Sequence, residues 1–203
     1  MTTERVQISL AAPHRWATPE DAPALARLVN FAGEGMPLYL WEKMGQESNE
    51  SAWEIGEQRA QRETGSFSYR NAVLREENGT VVACLMGYAL PEELDPDRFD
   101  GMPPMFVPLQ ELEDRVPGTW YVNVLATLEE HRGKGYGKEL LDIAEQLALV
   151  NGCNGLSLIV ADANTGARRL YARNDYEELA TRPMVKEDWD GTGESWVLMK
   201  RSL

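Results

Sequence analysis

Histidine and cysteine are scarce in this sequence, and basic residues are outnumbered. His14 and His131 are the only histidines, and Cys84 and Cys153 the only cysteines, among 203 residues. Neither histidine has a cysteine or a second histidine at ligand spacing, so no metal site is expected. Two cysteines in apolar, strand-like or helix-end surroundings suit reduced thiols rather than a disulfide framework. No apolar run approaches the roughly 20 residues of a membrane span, and the opening "MTTERVQISL" has no charged leader followed by an apolar block. A cytoplasmic protein without membrane attachment is the expectation. Lys and Arg total 20 against 33 Asp and Glu, for a formal charge of −13. Such a field repels phosphate backbones, which excludes non-specific binding to nucleic acid or to anionic membranes as a main function.

With 43% apolar residues, the chain has enough to build one substantial core. No repeat or low-complexity segment divides it, and residues 1–203 are expected to form a single domain. "VQISL" reads as a first strand and "HRWA" as a second. In "ATPEDAPALARLV", Thr18 is an N-cap, Pro19 takes the first helical position and acids fill the first turn, so a helix starts there. "MPLYLWEKM" is a cluster of large apolar and aromatic groups, and "SAWEIGEQRAQRE" has helical character. "SYRNAVLREENGTVVACLMGYAL" holds two β-rich runs joined at Asn78-Gly79, a strong hairpin signal. Residues 91–118 break the pattern, with six prolines around the short helical stretch "LQELED". From Thr119 the order is a strand "TWYVNVLA", a glycine-rich turn, a helix to Val150 and a strand "GLSLIV". That is a β-α-β unit with parallel strands. A helix in "TGARRLYARN" and strands near "YEELA" and "SWVLMK" close the chain.

The most informative stretch is "HRGKGYGKELLDIAEQLALV". Leu140, Leu141, Ala144, Leu147 and Ala148 share one helical face, and Glu139, Asp142, Glu145 and Gln146 share the other. The glycines and cations therefore lie at a helix N-terminus, where unpaired amides and the helix dipole favour an anion, and where glycine lets a ligand approach the backbone. Arg132, Lys134 and Lys138 add positive charge in an otherwise acidic chain. Phosphate is the expected anion. The dinucleotide fingerprint fails, because it requires glycine at Lys138 or at Leu140. The P-loop fails too, because it requires glycine at Arg132 and Ser or Thr at Glu139.

The pattern that fits is R/Q-x-x-G-x-G/A, carried by Arg132-Gly133-Lys134-Gly135-Tyr136-Gly137. At these residues the sequence resembles the GNAT superfamily of N-acetyltransferases, whose turn binds the pyrophosphate of acetyl-CoA. The strands "YVNVLA" and "GLSLIV", the segment "NTGARRLY" and the entry "HRWATPEDAPAL" extend the resemblance over nearly the whole chain. The implied fold is a mixed α/β one, a mostly antiparallel sheet with splayed central parallel strands flanked by helices. The resemblance implies that Val124, Leu125 and Ala126 present backbone groups to the pantetheine and the acetyl carbonyl. It further implies that the amides of Arg132, Gly133, Lys134, Gly135, Tyr136 and Gly137 hold the pyrophosphate with Lys138 nearby. Asn164 then contacts the cofactor arm, and Tyr171 lies beside the cofactor sulfur. One departure is visible: the family often continues L-Y-x-x-x-G-F, whereas here Asp175-Tyr176 follows Asn174.

Acetyl transfer to an amine suits these parts. The thioester oxyanion needs a donor, for which the amide of Leu125 is a candidate, and the departing thiolate benefits from a proton. Tyr171 is the expected acid and Asn123 an orienting residue for the amine or a water, though each also has a purely structural reading. The general base is left open. By the same resemblance the amine enters past "MPLYLWEKM" and the proline-rich stretch, which nominates Tyr39, Trp41, Met105 and Phe106 as acceptor-binding residues, with Glu42 or Glu111 as acids. These apolar residues equally suit core closure or a homodimer contact. The expected activity is an acetyl-CoA-dependent N-acetyltransferase acting on a primary amine of a small molecule or peptide, with no metal. The alternatives are a non-catalytic acetyl-CoA sensor and an acyltransferase for a longer acyl-CoA.

Overall fold

Helix α1 (Ala22–Ala32) begins one turn after the start that Thr18 and Pro19 signal in the sequence. Pro19–Asp21 first forms a 3-10 turn, with the backbone N–H of Thr18 donating to Asp21 Oδ2 at 2.8 Å. Asp21 is fixed from the other side by Arg15, whose guanidinium lies 2.7 and 2.8 Å from its two oxygens. The aromatic cluster is helix α2 (Met36–Ser48), entered through Gly35 at φ +86° with a proline at its start. Helix α3 (Ala52–Ala60) opens on a capping box: Ser51 N–H donates to Glu54 Oε2 at 2.8 Å, and Glu54 N–H returns a bond to Ser51 Oγ at 3.3 Å.

The computed structural model describes residues 6–203. The reading of the chain's opening as leader-free concerns in part residues 1–5, which lie outside the described residues. "VQISL" forms no strand: residues 6–10 have no regular structure, and the Asn151 side chain takes both Val6 N–H (3.1 Å) and Val6 C=O (3.0 Å). A side-chain amide here supplies the two bonds that a neighbouring strand would have supplied.

The strands are β1 (His14–Trp16), β2 (Ala72–Glu77), β3 (Thr80–Ala89), β4 (Trp120–Thr127), β5 (Gly155–Ala161), β6 (Glu177–Pro183) and β7 (Ser195–Ser202). Their order in the sheet is β1-β2-β3-β4-β5-β7-β6. Strands β4 and β5 are parallel, paired at Trp120–Leu156 and Tyr121–Ser157. The hairpin of β2 and β3 turns at Asn78 and Gly79, both at positive φ, and carries a bulge at Arg75/Glu76. Helix α4 (Val107–Glu113) lies in the proline-rich stretch, α5 (Tyr136–Val150) follows the glycine-rich turn, and α6 (Thr165–Ala172) follows β5. The fold is thus mixed α/β, a mostly antiparallel sheet with one parallel pair and accompanying helices.

Two compact units divide the chain. The helical unit comprises residues 9–87 and 123–141, and the strand unit residues 6–8, 88–122 and 142–203. In the helical unit Leu25, Leu28 and Val29 of α1 share a core with Trp41, Ile55, Leu74, Cys84 and Met86. Trp41 is 3% exposed and stacks on Phe67 with ring centroids 5.7 Å apart. In the strand unit the buried residues include Leu112, Trp120, Leu156, Leu158 and Leu198, and a buried polar pair, Thr119 Oγ1 to Ser157 Oγ at 2.7 Å, ties the starts of β4 and β5. Among the described residues no helix is long and apolar enough to cross a membrane.

Gly56 of α3 meets the face of Trp41, where an added Cβ would lie 2.5 Å from the indole ring. Alanine favours a helix over glycine by about 1 kcal/mol, but overpacking a fitted core costs about 1–3 kcal/mol, so the clash should win. Gly56→Ala is therefore expected to lower the urea midpoint, with a change in tryptophan emission. An unchanged or raised midpoint would show that the Trp41 ring is free to move.

Candidate active site

The glycine-rich turn belongs to the helical unit and is built by backbone conformation. Gly133 and Gly135 have φ of +76° and +89°, a region that L side chains rarely adopt. A Cβ at either position would meet nothing of the protein within 4 Å, so the space over the turn is open. The first backbone bonds of α5 run from Lys138 N–H and Glu139 N–H to Gly135 C=O, at 3.0 and 3.1 Å. Of the amides ahead of them, Arg132 N–H donates to Glu129 C=O at 3.1 Å, and those of residues 133–137 are the orphan donors that a helix N-terminus leaves. A pyrophosphate fits such a turn: donors without helical acceptors, no side chain in the way, and the positive end of a 15-residue helix.

The cations of the turn are not equally available. Lys134 Nζ lies 3.2 and 3.1 Å from the two carboxylate oxygens of Glu77, at the end of β2. His131 Nδ1 is 2.5 Å from Glu77 Oε2, and Tyr136 Oη donates to Glu77 Oε1 at 3.0 Å. The bonds from Lys134, then Tyr136, then His131 hold the Glu77 carboxyl down to about 2, well below the ordinary carboxylate range. Arg75 lies over the Tyr136 ring, 3.3 Å from its centroid, and pairs with Glu139 at 2.9 Å. Arg132 is exposed and lies over Phe31 at 4.7 Å. Lys138 is exposed too. Glu77 went unnoticed in the sequence because it precedes a hairpin turn, where an acid looks solvated. Only the pairing of β2 with β3 brings it 54 to 59 positions along the chain to the turn.

On β4, within the helical unit, Val124 and Ala126 are buried and Asn123 and Leu125 half-buried. Leu128, next in the chain after β4, donates its N–H to Val82 C=O at 2.9 Å. Tyr39 is half-buried beneath the Lys43 ammonium, 4.7 Å from its ring, whereas Trp41 is enclosed in the core already described. Glu42 is exposed.

In the strand unit, Asn164 is the N-cap of α6, its side-chain oxygen accepting Ala167 N–H at 3.1 Å. Tyr171 is 7% exposed and sits beside Tyr176, ring centroids 5.8 Å apart. Burial raises the Tyr171 phenol well above its ordinary value, so it holds its proton at any working pH. Asp175, which replaces the glycine of the resembling motif, adopts φ +65°, and Tyr176 N–H closes the turn onto Tyr171 C=O at 3.1 Å. The turn thus survives without glycine. Met105 is 1% exposed and Phe106 half-buried, while Glu111 is taken up by Arg182 at 2.7 Å.

A second acid of this unit was not singled out in the sequence. Glu113, at the last position of α4, is bonded to the Tyr121 hydroxyl. Burial, and then the adjacent Asp114, raise its carboxyl to about 7 against the bond from Tyr121. Tyr121 is 4% exposed, and its phenol is raised by burial, then by Glu113, Tyr88 and Tyr171. "LQELED" gives no sign of this, since one of its three acids being desolvated depends on what folds over it.

The sequence matches the Acetyltransferase (GNAT) family over residues 37–176. Among curated protein sequences none matches this chain. Solved structures resemble it over nearly its full length. One described as an acetyltransferase is 25% identical, with a TM-score of 0.64, 96% of this chain and 99% of that one covered. An N-acetyltransferase from Staphylococcus aureus Mu50 is 19% identical with a TM-score of 0.60, covering 92% of this chain and 98% of its own. A ribosomal-protein-alanine N-acetyltransferase from Brucella melitensis is 17% identical with a TM-score of 0.56, the coverage being 94% and 99%. The glycine-rich turn, the strand before it and the helix after it all lie inside the matched region, and the chain belongs to the acetyltransferase (GNAT) family.

Proposed function

We propose that the protein transfers the acetyl group of acetyl-CoA to a primary amine of a small molecule or peptide, by direct attack in a ternary complex. The observation that carries this reading is the open turn at residues 132–137, with Gly133 and Gly135 in the left-handed region at the start of α5. Acetyl-CoA supplies the thioester carbonyl and, through its pyrophosphate, the anion that such a turn suits. The amides of Gly133, Lys134, Gly135, Tyr136 and Gly137 bind that anion, with the Lys138 ammonium adding charge, and Arg132 is assigned to it as well, although its N–H already donates to Glu129 C=O. Val124, Leu125 and Ala126 offer backbone groups to the pantetheine arm, and Leu125 N–H is assigned to the developing oxyanion. Asn164 is assigned to the arm as well, although its side-chain oxygen already caps α6. Asn123 orients the amine or a water. Tyr171 donates its proton, or a strong hydrogen bond, to the departing thiolate, a role that a phenol with a raised pKa fits better than that of a base. For the acceptor, the half-buried Tyr39 and Phe106 are better placed to meet a ligand than Trp41 and Met105, which are enclosed.

Release of free thiol from acetyl-CoA, measured across a panel of small amines, polyamines, amino acids and peptides, tests the activity. Binding of acetyl-CoA with no release for any amine would favour a sensor instead, and faster release from a longer acyl-CoA would reassign the donor.

Three substitutions test the parts. Gly135→Val combines a β-branched side chain with a φ of +89° and fills the space over the turn. Acetyl-CoA affinity by calorimetry should fall at least about tenfold with the circular dichroism spectrum retained, a change of about 1.4 kcal/mol. Unchanged affinity would sink the pyrophosphate assignment.

Glu77→Gln removes the carboxylate that engages Lys134 and His131. Acetyl-CoA should then bind about two- to fivefold tighter at low salt, the small gain expected on releasing exposed ion pairs, and the gain should vanish at high salt. Weaker binding would show that Glu77 instead holds the turn in its binding shape.

Tyr171→Phe keeps the ring against Tyr176 and removes the hydroxyl. The turnover number should drop by about 10²-fold while the dissociation constant for acetyl-CoA stays within about twofold. Wild-type turnover would make Tyr171 a packing residue only.

A further inference from the structure

Glu113 and Tyr121 form a hydrogen-bonded carboxyl–phenol pair inside the strand unit, with Tyr88 and Tyr171 as the other ionisable neighbours of the Tyr121 hydroxyl. The Tyr88 and Tyr121 rings lie 5.7 Å apart at 56°. Three phenols and one carboxyl thus make up a cluster in which Glu113, Tyr121 and Tyr171 are desolvated and Tyr88 is half-buried, and it contains the residue assigned above to the thiolate. We propose that Glu113, acting through the Tyr121 hydroxyl, is the proton acceptor for the acceptor amine. The assignment rests on the acetyl-transfer reading.

The chemistry balances with no further reactant. An amine at neutral pH arrives as an ammonium ion with three N–H protons, and the amide product keeps one. The Tyr121 oxygen takes the first proton while its own hydrogen-bonded proton passes to the Glu113 carboxylate, so the phenol is regenerated and Glu113 becomes the acid. The freed nitrogen lone pair forms the C–N bond to the acetyl carbon, the C–S bond breaks, and sulfur takes its electron pair. The second N–H proton leaves with the sulfur as the thiol by way of Tyr171, and Glu113 returns its proton to solvent. A base for this task works best with a pKa close to the operating pH, and burial places Glu113 at about 7.

The surrounding charges leave Glu113 to the phenol. Beside it in the chain, Asp114 pairs with Arg98 at 2.7 Å and Glu111 with Arg182 at 2.7 Å. Of the strands packed on α4, β6 carries Glu177, Glu178 and Arg182, and β7 carries Lys200 and Arg201. Glu178 is bound by Arg168, and Arg201 lies 2.9 Å from Glu145. The 3-10 turn before α4 has no charged residue. Arg115, two residues on, is exposed, and the Glu113 pKa is set by desolvation first, then by Asp114 and the bond from Tyr121.

Carbon-13 NMR titration of the Glu113 carboxyl tests the pair without any acceptor, and the pH profile of turnover tests its role. The carboxyl should titrate near 7, and its midpoint should move up in Tyr121→Phe, since the lost donor favoured the charged form. Turnover divided by KM should rise with pH to a plateau above about 7 in the unsubstituted protein. Glu113→Gln should lose that limb and at least tenfold of the rate at about pH 8, Tyr121→Phe should lose a similar factor, and Glu113→Asp should recover part of it. Acetyl-CoA affinity should stay unchanged in all three, which also reports that they fold. A Glu113 midpoint in the ordinary carboxylate range, or undiminished turnover by Glu113→Gln, overturns the assignment and leaves acetyl transfer standing. Acetyl-CoA binding without thiol release by the unsubstituted protein, for every amine tried, overturns the acetyl-transfer reading and this assignment with it.

Discussion

A helix that starts on two left-handed glycines leaves amides that it cannot satisfy itself, and in a chain of charge −13 this makes the head of α5 an isolated positive feature. The helical unit is arranged around that constraint. Glu77 comes in from the β2 end and binds His131, Lys134 and Tyr136, which fixes the outer side of the turn through side chains and leaves the space over the glycines open. Arg75, two residues back on the same strand, covers the Tyr136 ring and reaches Glu139 on the next turn of α5. Alternate residues of one strand thereby address alternate parts of the turn, as period-two geometry requires. The bulge at Arg75/Glu76 lies between them.

The strand unit works by the opposite physics. Its ionisable groups of interest are removed from water rather than paired: Glu113, Tyr121, Tyr171 and Tyr176 all have their pKa raised, with burial the largest cause in each. Several arginines of the unit are taken up by other carboxylates, as in Arg98 with Asp114 and Arg182 with Glu111, and only at Tyr176 does an arginine, Arg201, act against the effect of burial. Unit by unit, charge is concentrated at the turn and excluded from the phenol cluster.

Local signals were legible in the sequence and long-range ones were not. The glycine-rich turn, the Asn78-Gly79 hairpin, the capped start before α1 and the β-α-β order follow from residue types at short spacing, and each appears where it was read. "MPLYLWEKM" could be recognised as apolar but not as a helix closed onto a core, because what encloses Trp41 is Phe67 and the bare backbone of Gly56, both distant in sequence. "VQISL" has strand composition, yet Asn151 takes up both backbone groups of Val6, and no pattern within five residues reveals a partner 145 positions away. Glu77 and Glu113 look like any other surface acids among 33 Asp and Glu, and only the fold separates one that is ion-paired from one that is desolvated.

Desolvation has different consequences for a phenol and a carboxyl, which is why one apolar environment can serve both ends of a proton transfer. A phenol starts near a pKa of ~10, and any increase leaves it fully protonated at neutrality, able to donate but not to accept. A carboxyl starts near ~4.3, and an increase of two or three units brings it to the point where both forms are populated. Tyr171 and Glu113 experience the same dominant force, burial, and end as a fixed donor and a poised acceptor. Tyr121 between them cannot ionise at any working pH, so a proton can cross it only if one arrives as another leaves. That condition couples loss of a proton from the amine to its uptake by Glu113, and the nitrogen becomes nucleophilic only while the carboxylate is ready to receive its proton.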